Sequence, residues 1–154
     1  MTMLATLALH GQAIVVDGGN CFDAYTLARV LRMHTLQVEA ALKRIRLSRA
    51  FTCYQMLAML AELPVDGTPV IVLDLLSTFL DESVALNKRQ RLLTSSLNQI
   101  RRISQGAPVA VWARTRSTTI ATEDQQFLIP LLEVAHDIWE LQELEMPTHQ
   151  LPLF

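Results

Sequence analysis

Short apolar runs alternate along this chain with stretches in which apolar residues recur every three or four positions. The runs at 12–17 (QAIVVD), 46–50 (RLSRA), 69–74 (PVIVLD), 108–113 (PVAVWA) and 137–141 (DIWEL) have the length of strands. Three of them, those ending at Asp17, Asp74 and Ala113, are almost continuously apolar, as strands covered on both faces are. Between the runs the period is helical. Asp23 is placed to cap a helix over 24–33, with Tyr25, Leu27, Ala28 and Leu31 on one face. A short helix is predicted from Thr35 or Leu36 to Lys43, and Thr52 opens another over 53–63. The longest pattern, 84–104, sets Leu86, Leu93, Leu97, Ile100 and Ile103 in an apolar stripe that Gly106 and Pro108 bring to an end. A further helix starts at Thr122 and passes through Pro130, where a kink or division is expected. Residues 1–9 carry Met3, Leu4, Leu7 and Ala8 at helical spacing and are read as helix, with strand as the open alternative. Alternating strand and helix predicts an α/β fold with a mostly parallel sheet flanked by helices.

Composition bounds what such a fold can be. With 154 residues, 51% hydrophobic and 18% charged, the chain is long enough and apolar enough for one full core, and a disordered chain is excluded. A domain over 1–145 and a tail over 146–154 with two prolines are expected. No apolar run reaches the roughly 18 residues of a membrane span, and the first nine residues lack the basic start of a secretory signal. Two cysteines, Cys21 and Cys53, suit a reducing compartment, so a cytoplasmic location is expected. Charge is distributed unevenly. All 13 basic residues lie between Arg29 and Arg116 beside six acids, whereas 117–154 holds seven acids and no Lys or Arg. That asymmetry fits either an anion-binding face or charges paired inside the fold. The four histidines show no ligand spacing with cysteine or carboxylate, so no metal site is expected.

Two predicted strands end in aspartate, Asp17 and Asp74, at the carboxyl edge where open α/β sheets place ligands. The VIVLD pattern before Asp74 is one that nucleotide hydrolases use to hold magnesium, and Asp17 leads into Gly18-Gly19-Asn20, a segment free to turn sharply. Taken in order, VVDGGNCFDAYTLARVL, IRLSRAFTCYQMLAML, VIVLDLLSTFL, KRQRLLTSSLNQIRRI and PVAVWAR resemble the RecA/RadA recombinase ATPase core over about 13–114. The resemblance implies a RecA-like sheet, and its departures imply lost chemistry. None of the five glycines is followed by the Lys of a phosphate-binding loop, so the phosphate-loop strand is expected to be missing. The family's water-positioning Glu falls on Gly19, the Ser or Thr beside Asp74 is Leu75, and the polar sensor after the fourth strand is replaced by Ala113-Arg114. These losses imply no ATP hydrolysis, no catalytic residue and no cofactor, and they leave Asp74 as a vestigial magnesium-site position with a structural role. The missing strand also implies a gap in the sheet, filled by 1–9 or by another chain, and hence a partner or a homo-oligomer.

The last five residues, Gln150-Leu151-Pro152-Leu153-Phe154, resemble the pentapeptide by which bacterial polymerases and repair proteins dock on the sliding clamp. Gln150, Leu151, Leu153 and Phe154 are the matching positions; Pro152 departs from the pattern but suits an extended tail. Arg114 and Arg116, in the loop after the fourth strand, match a DNA-contacting region of the recombinase family, and Lys88 and Arg89 at the start of the long helix are further expected DNA contacts. The resemblance therefore implies a non-catalytic accessory protein of bacterial DNA repair or translesion synthesis in the SOS response to DNA damage. It would be tethered to the clamp and engage a recombinase, a DNA polymerase or DNA. Two alternatives stay open: half of an ATPase site completed by a partner chain, or a structural interaction protein.

Overall fold

The computed structural model describes residues 1–114 and 122–140, with the backbone alone for 122–124. Four strands, β1 (Ala13–Asp17), β2 (Ile45–Arg49), β3 (Val70–Leu73) and β4 (Val109–Val111), form one sheet in the order β2-β1-β3-β4. Every pairing is parallel, with Asp17 level with Arg49 on one side and with Leu73 on the other. Parallel neighbours require crossovers, which here are α2 (Ala24–Arg32) with α3 (Val38–Leu42), then α4 (Cys53–Glu62), then a 3-10 turn (Leu75–Phe79) with α5 (Leu86–Ser104). The chain opens with α1 (Thr2–His10), and α6 (Thr122–Val134) follows β4.

The helices divide between the two faces of the sheet. Ala13 and Val15 of β1 meet Leu4, Ala5 and Ala8 of α1 and Leu27 and Leu31 of α2. Ile14 and Val16 face the other way, into a larger core with Met56 and Leu60 of α4, Phe79 of the 3-10 turn, Leu97 and Ile103 of α5, and Phe127 of α6. This explains the unbroken apolar runs: β1 and β3 are buried at every position, whereas β2, at one edge, is mostly exposed. The helices start where capping chemistry allows. Asp23 Oδ1 accepts the Tyr25 and Thr26 N–H groups at 2.9 and 3.0 Å, and Thr52 Oγ1 accepts the Gln55 N–H at 3.2 Å. Two helix ends are closed by arginine. Arg44 Nη1 donates to the Ala8 and Leu9 carbonyls of α1, and Arg102 Nη2 donates to the Leu60, Ala61 and Leu63 carbonyls at the end of α4.

Several expectations are corrected. Tyr25 does not share the buried face of α2; it is 74% exposed, and Leu27 and Leu31 alone are fully buried there. Of the two outcomes expected at Pro130, a kink or a division, division does not occur: α6 is one helix with Pro130 inside it. Residues 137–140 form no strand: Ile138 and Trp139 are exposed and pair with nothing in the sheet, while Leu141 lies outside the described residues. Among the described residues the four strands are hydrogen-bonded side by side in the order β2-β1-β3-β4 with no gap between them, and α1 lies on a face of the sheet, against α2, α3 and β1. Among the described residues no helix is long and apolar enough to cross a membrane.

Arg102→Met removes three carbonyl partners while keeping the aliphatic stem, so it is expected to cost about 1–3 kcal/mol of stability in a urea titration. A change within the error of that titration would mean that the α4 end is adequately solvated without Arg102.

Candidate functional site

The carboxyl edge of the sheet brings the two strand-end aspartates to neighbouring positions, and both are almost fully buried, Asp17 at 1% and Asp74 at 3% exposure. A buried carboxylate needs partners for its lone pairs. Asp17 finds them in the turn that follows its own strand. Its Oδ1 accepts the Cys21 N–H at 2.9 Å, its Oδ2 accepts the Phe22 N–H at 3.0 Å, and Arg49 Nε stands 3.6 Å from Oδ2 across the sheet edge. The turn is made possible by Asn20, which takes a left-handed conformation at φ 52°.

Asp74 finds its partner at a distance of 40 residues. Arg114, just beyond β4, donates Nε at 2.9 Å and Nη2 at 2.6 Å to Oδ2, and its backbone N–H donates to Oδ1 at 3.3 Å. Asp74 itself is left-handed, at φ 51°, a conformation Asp adopts at a cost of order 1 kcal/mol and which the surrounding packing must offset. The Cys21 thiol completes the cluster, 3.3 Å from Arg114 Nη2 and 3.8 Å from Asp74 Oδ2. Burial pushes the Cys21 thiol above its ordinary value, Arg114 opposes that shift, and Asp74 and Asp17 add to it. Asp74, through its hydrogen bonds and its charge, holds Arg114 more firmly in the charged form than an isolated guanidinium.

The two glycines of this turn are dictated by contact. A Cβ on Gly18 would lie 2.8 Å from the Asp74 carbonyl oxygen and 2.7 Å from Met56 Cε. On Gly19 it would lie 2.6 Å from Asp74 Cβ and 2.8 Å from Cγ. A side chain at position 19 and the present placement of Asp74 therefore exclude each other. The absence of a carboxylate at Gly19 and the Asp74–Arg114 pair are two aspects of one packing arrangement.

A magnesium ion does not fit this arrangement. Magnesium takes oxygen ligands in near-octahedral geometry, whereas both Asp74 oxygens here accept hydrogen bonds from a residue that already carries a positive charge. Among the described residues no group of three His, Cys, Asp or Glu side chains could hold a metal ion.

The other candidate residues divide. Lys88 is exposed on α5, in a cleft with Tyr54, Arg91, Leu92 and Ser95, none of which lies in the Asp74 cluster. Arg89 is corrected as a DNA contact: it is 5% exposed, its Nη1 donates to the Phe79 carbonyl at 3.2 Å, and its guanidinium stacks over Phe127 at 5.5 Å. The guanidinium of Arg114 is turned to Asp74, although 58% of its side chain remains accessible. Arg116 and the tail residues Gln150, Leu151, Leu153 and Phe154 lie outside the described residues. Sequence reading missed Cys21, Arg49, Arg44 and Arg102 as structural partners. A helix end without a following glycine, as at Leu63, is the signal that could have pointed to Arg102.

Gly19→Ala is expected to displace Asp74 from Arg114 and lower stability by about 1–3 kcal/mol in denaturant titration; an unchanged midpoint would mean that the two do not interlock. A scan against models of known protein families finds no match for this chain, and a search of curated proteins finds no significant relative.

Proposed function

We propose that this chain is a non-catalytic adaptor with a RecA-like core, serving bacterial DNA repair or translesion synthesis. Its tail residues Gln150, Leu151, Leu153 and Phe154 dock on the sliding clamp while the domain engages a recombinase, a polymerase or DNA. The observation that carries the non-catalytic part is the Asp74–Arg114 pair. Phosphoryl transfer is driven by cations and donors preorganised around the phosphates. At this edge the protein's own guanidinium neutralises the carboxylate that would hold such a cation, and the turn beside it has no room for a second acidic side chain. What remains is a stable α/β platform, and a platform acts by binding. Leu and Phe on a short tail suit apolar pockets, with Gln150 supplying orienting hydrogen bonds. Tethering of this kind raises the local concentration of a second, weak contact to about the millimolar range.

Immobilised bacterial sliding clamp is expected to capture the full chain, and to lose it when residues 150–154 are deleted or Phe154 is changed to Ala. Equal capture of all three proteins would remove the clamp from the proposal. In parallel, the purified chain is expected to show no ATP turnover above buffer with magnesium present; turnover abolished by Asp74→Ala would favour an ATPase.

A further inference from the structure

From Phe127 to Val134, α6 carries one polar residue, Glu133, and is otherwise apolar on every side. Phe127, Leu128, Leu131 and Val134 pack against the larger core. Ile129 and Leu132, one turn apart on the opposite side, face solvent. The segment leaving the helix adds Ile138 and Trp139, so that exposure in this group runs from 38% at Leu132 to 86% at Trp139. On α5, by contrast, the positions turned to solvent are polar, Lys88, Arg91, Asn98 and Arg101 among them. A helix apolar all round is the pattern of one covered all round, and an exposed apolar patch with a polar rim marks an interaction surface. The rim here has one sign. Glu133, Asp137 and Glu140 are all exposed, and the sequence from 117 to 154 carries no Lys or Arg. From Ile129 to Trp139 the patch spans at most about 25 Å, counting about 1.5 Å per residue to Val134 and about 3.5 Å per residue beyond it.

We infer that this surface, formed by Ile129, Leu132, Ile138 and Trp139 with Glu133, Asp137 and Glu140 at its rim, docks a basic amphipathic helix of a protein partner. Such a helix presents apolar anchors along one stripe and charges beside them, over a length that matches the patch. Its Lys and Arg heads would meet the three carboxylates while their aliphatic stems extend the apolar contact. Trp139 supplies the kind of side chain that most often dominates a docking contact. An anionic lipid surface and a nucleic-acid backbone carry the wrong sign for this rim. Helix α2 of a second copy, with Arg29, Arg32 and Met33 exposed, is the remaining occupant, and the experiment separates it. The inference shares with the adaptor reading only that the domain binds a protein; it needs neither the clamp nor the Asp74 edge.

The probe is a synthetic helical peptide of Leu and Lys in amphipathic spacing, titrated into the full-length Trp112→Phe chain, whose remaining tryptophan is Trp139. Trp139 emission is expected to shift to the blue as the ring leaves water, and affinity to fall as salt rises. With labelled peptide, Trp139→Ala and Ile129→Ser are each expected to weaken binding by roughly tenfold or more. Glu133→Gln/Asp137→Asn/Glu140→Gln is expected to weaken it and to flatten its salt dependence. These side chains are all exposed, so circular dichroism and the unfolding midpoint are expected to match the parent chain. The inference is overturned if the peptide leaves Trp139 emission unchanged or if the substitutions leave its affinity unchanged. Equally tight binding of a Leu/Lys peptide in strand-period alternation, or of a Leu/Glu helix, would also overturn it. A dimer in sedimentation that Trp139→Ala and Arg29→Glu/Arg32→Glu each dissolve would assign the patch to a second copy and overturn it too. Clamp capture through residues 150–154 is read separately: its loss with peptide binding intact removes the adaptor reading alone, and the reverse outcome removes this surface alone.

Discussion

The ion pair between Asp74 and Arg114 is the constraint around which the carboxyl edge of this sheet is organised. Asp74, itself left-handed and almost fully buried at the end of a fully buried strand, stands where an unpaired carboxylate would be strongly destabilising. Arg114 arrives from the end of the neighbouring strand, so the pair ties β3 to the residues that follow β4. Space for Asp74 comes from Gly18 and Gly19, and their turn is in turn held by Asp17 accepting the Cys21 and Phe22 N–H groups. Sequence choices at 17, 18, 19, 74 and 114 are thus one decision, spread over three segments of chain.

The same logic runs through the basic residues. The sequence shows 13 of them concentrated between Arg29 and Arg116, which by itself fits a surface that attracts anions. The structure assigns several to internal work instead. Arg44 and Arg102 each close the carbonyl end of a helix, and Arg89 is buried over Phe127. A planar guanidinium with several donors suits such tasks better than lysine, because it reaches two or three carbonyl oxygens from one position. The charge left for partners is therefore smaller and more localised than the composition suggests, and a chain total of -2 is no guide to where it lies.

What the sequence made legible follows from how local each signal is. The alternation of apolar runs and helical periods located β1, β3, β4 and α5 because those elements are decided by burial along a contiguous stretch. Asp23 and Thr52 were readable as caps because a cap is satisfied within three residues. DIWEL read as a strand because its pattern is apolar, but a strand needs a neighbour, and no local feature reports that residues 138–140 have none. The site was half legible. Asp74 stood out by its position, whereas its pairing with Arg114 depends on strand order, which brings together residues 40 apart. That position 19 carries no side chain was visible; that Gly19 makes room for Asp74 was not, because close approach is a property of the folded chain.

The central claim, that an internal cation closes this edge of the sheet, is tested most directly by a double-mutant cycle between Asp74→Asn and Arg114→Met in urea denaturation. The account predicts a coupling of about 1–2 kcal/mol, reduced from that of a fully buried pair because Arg114 is partly solvated, with Arg114→Met costing less when Asp74 has already lost its charge. Strict additivity of the two substitutions would show that the carboxylate and the guanidinium do not hold one another, and the account of this edge would be wrong.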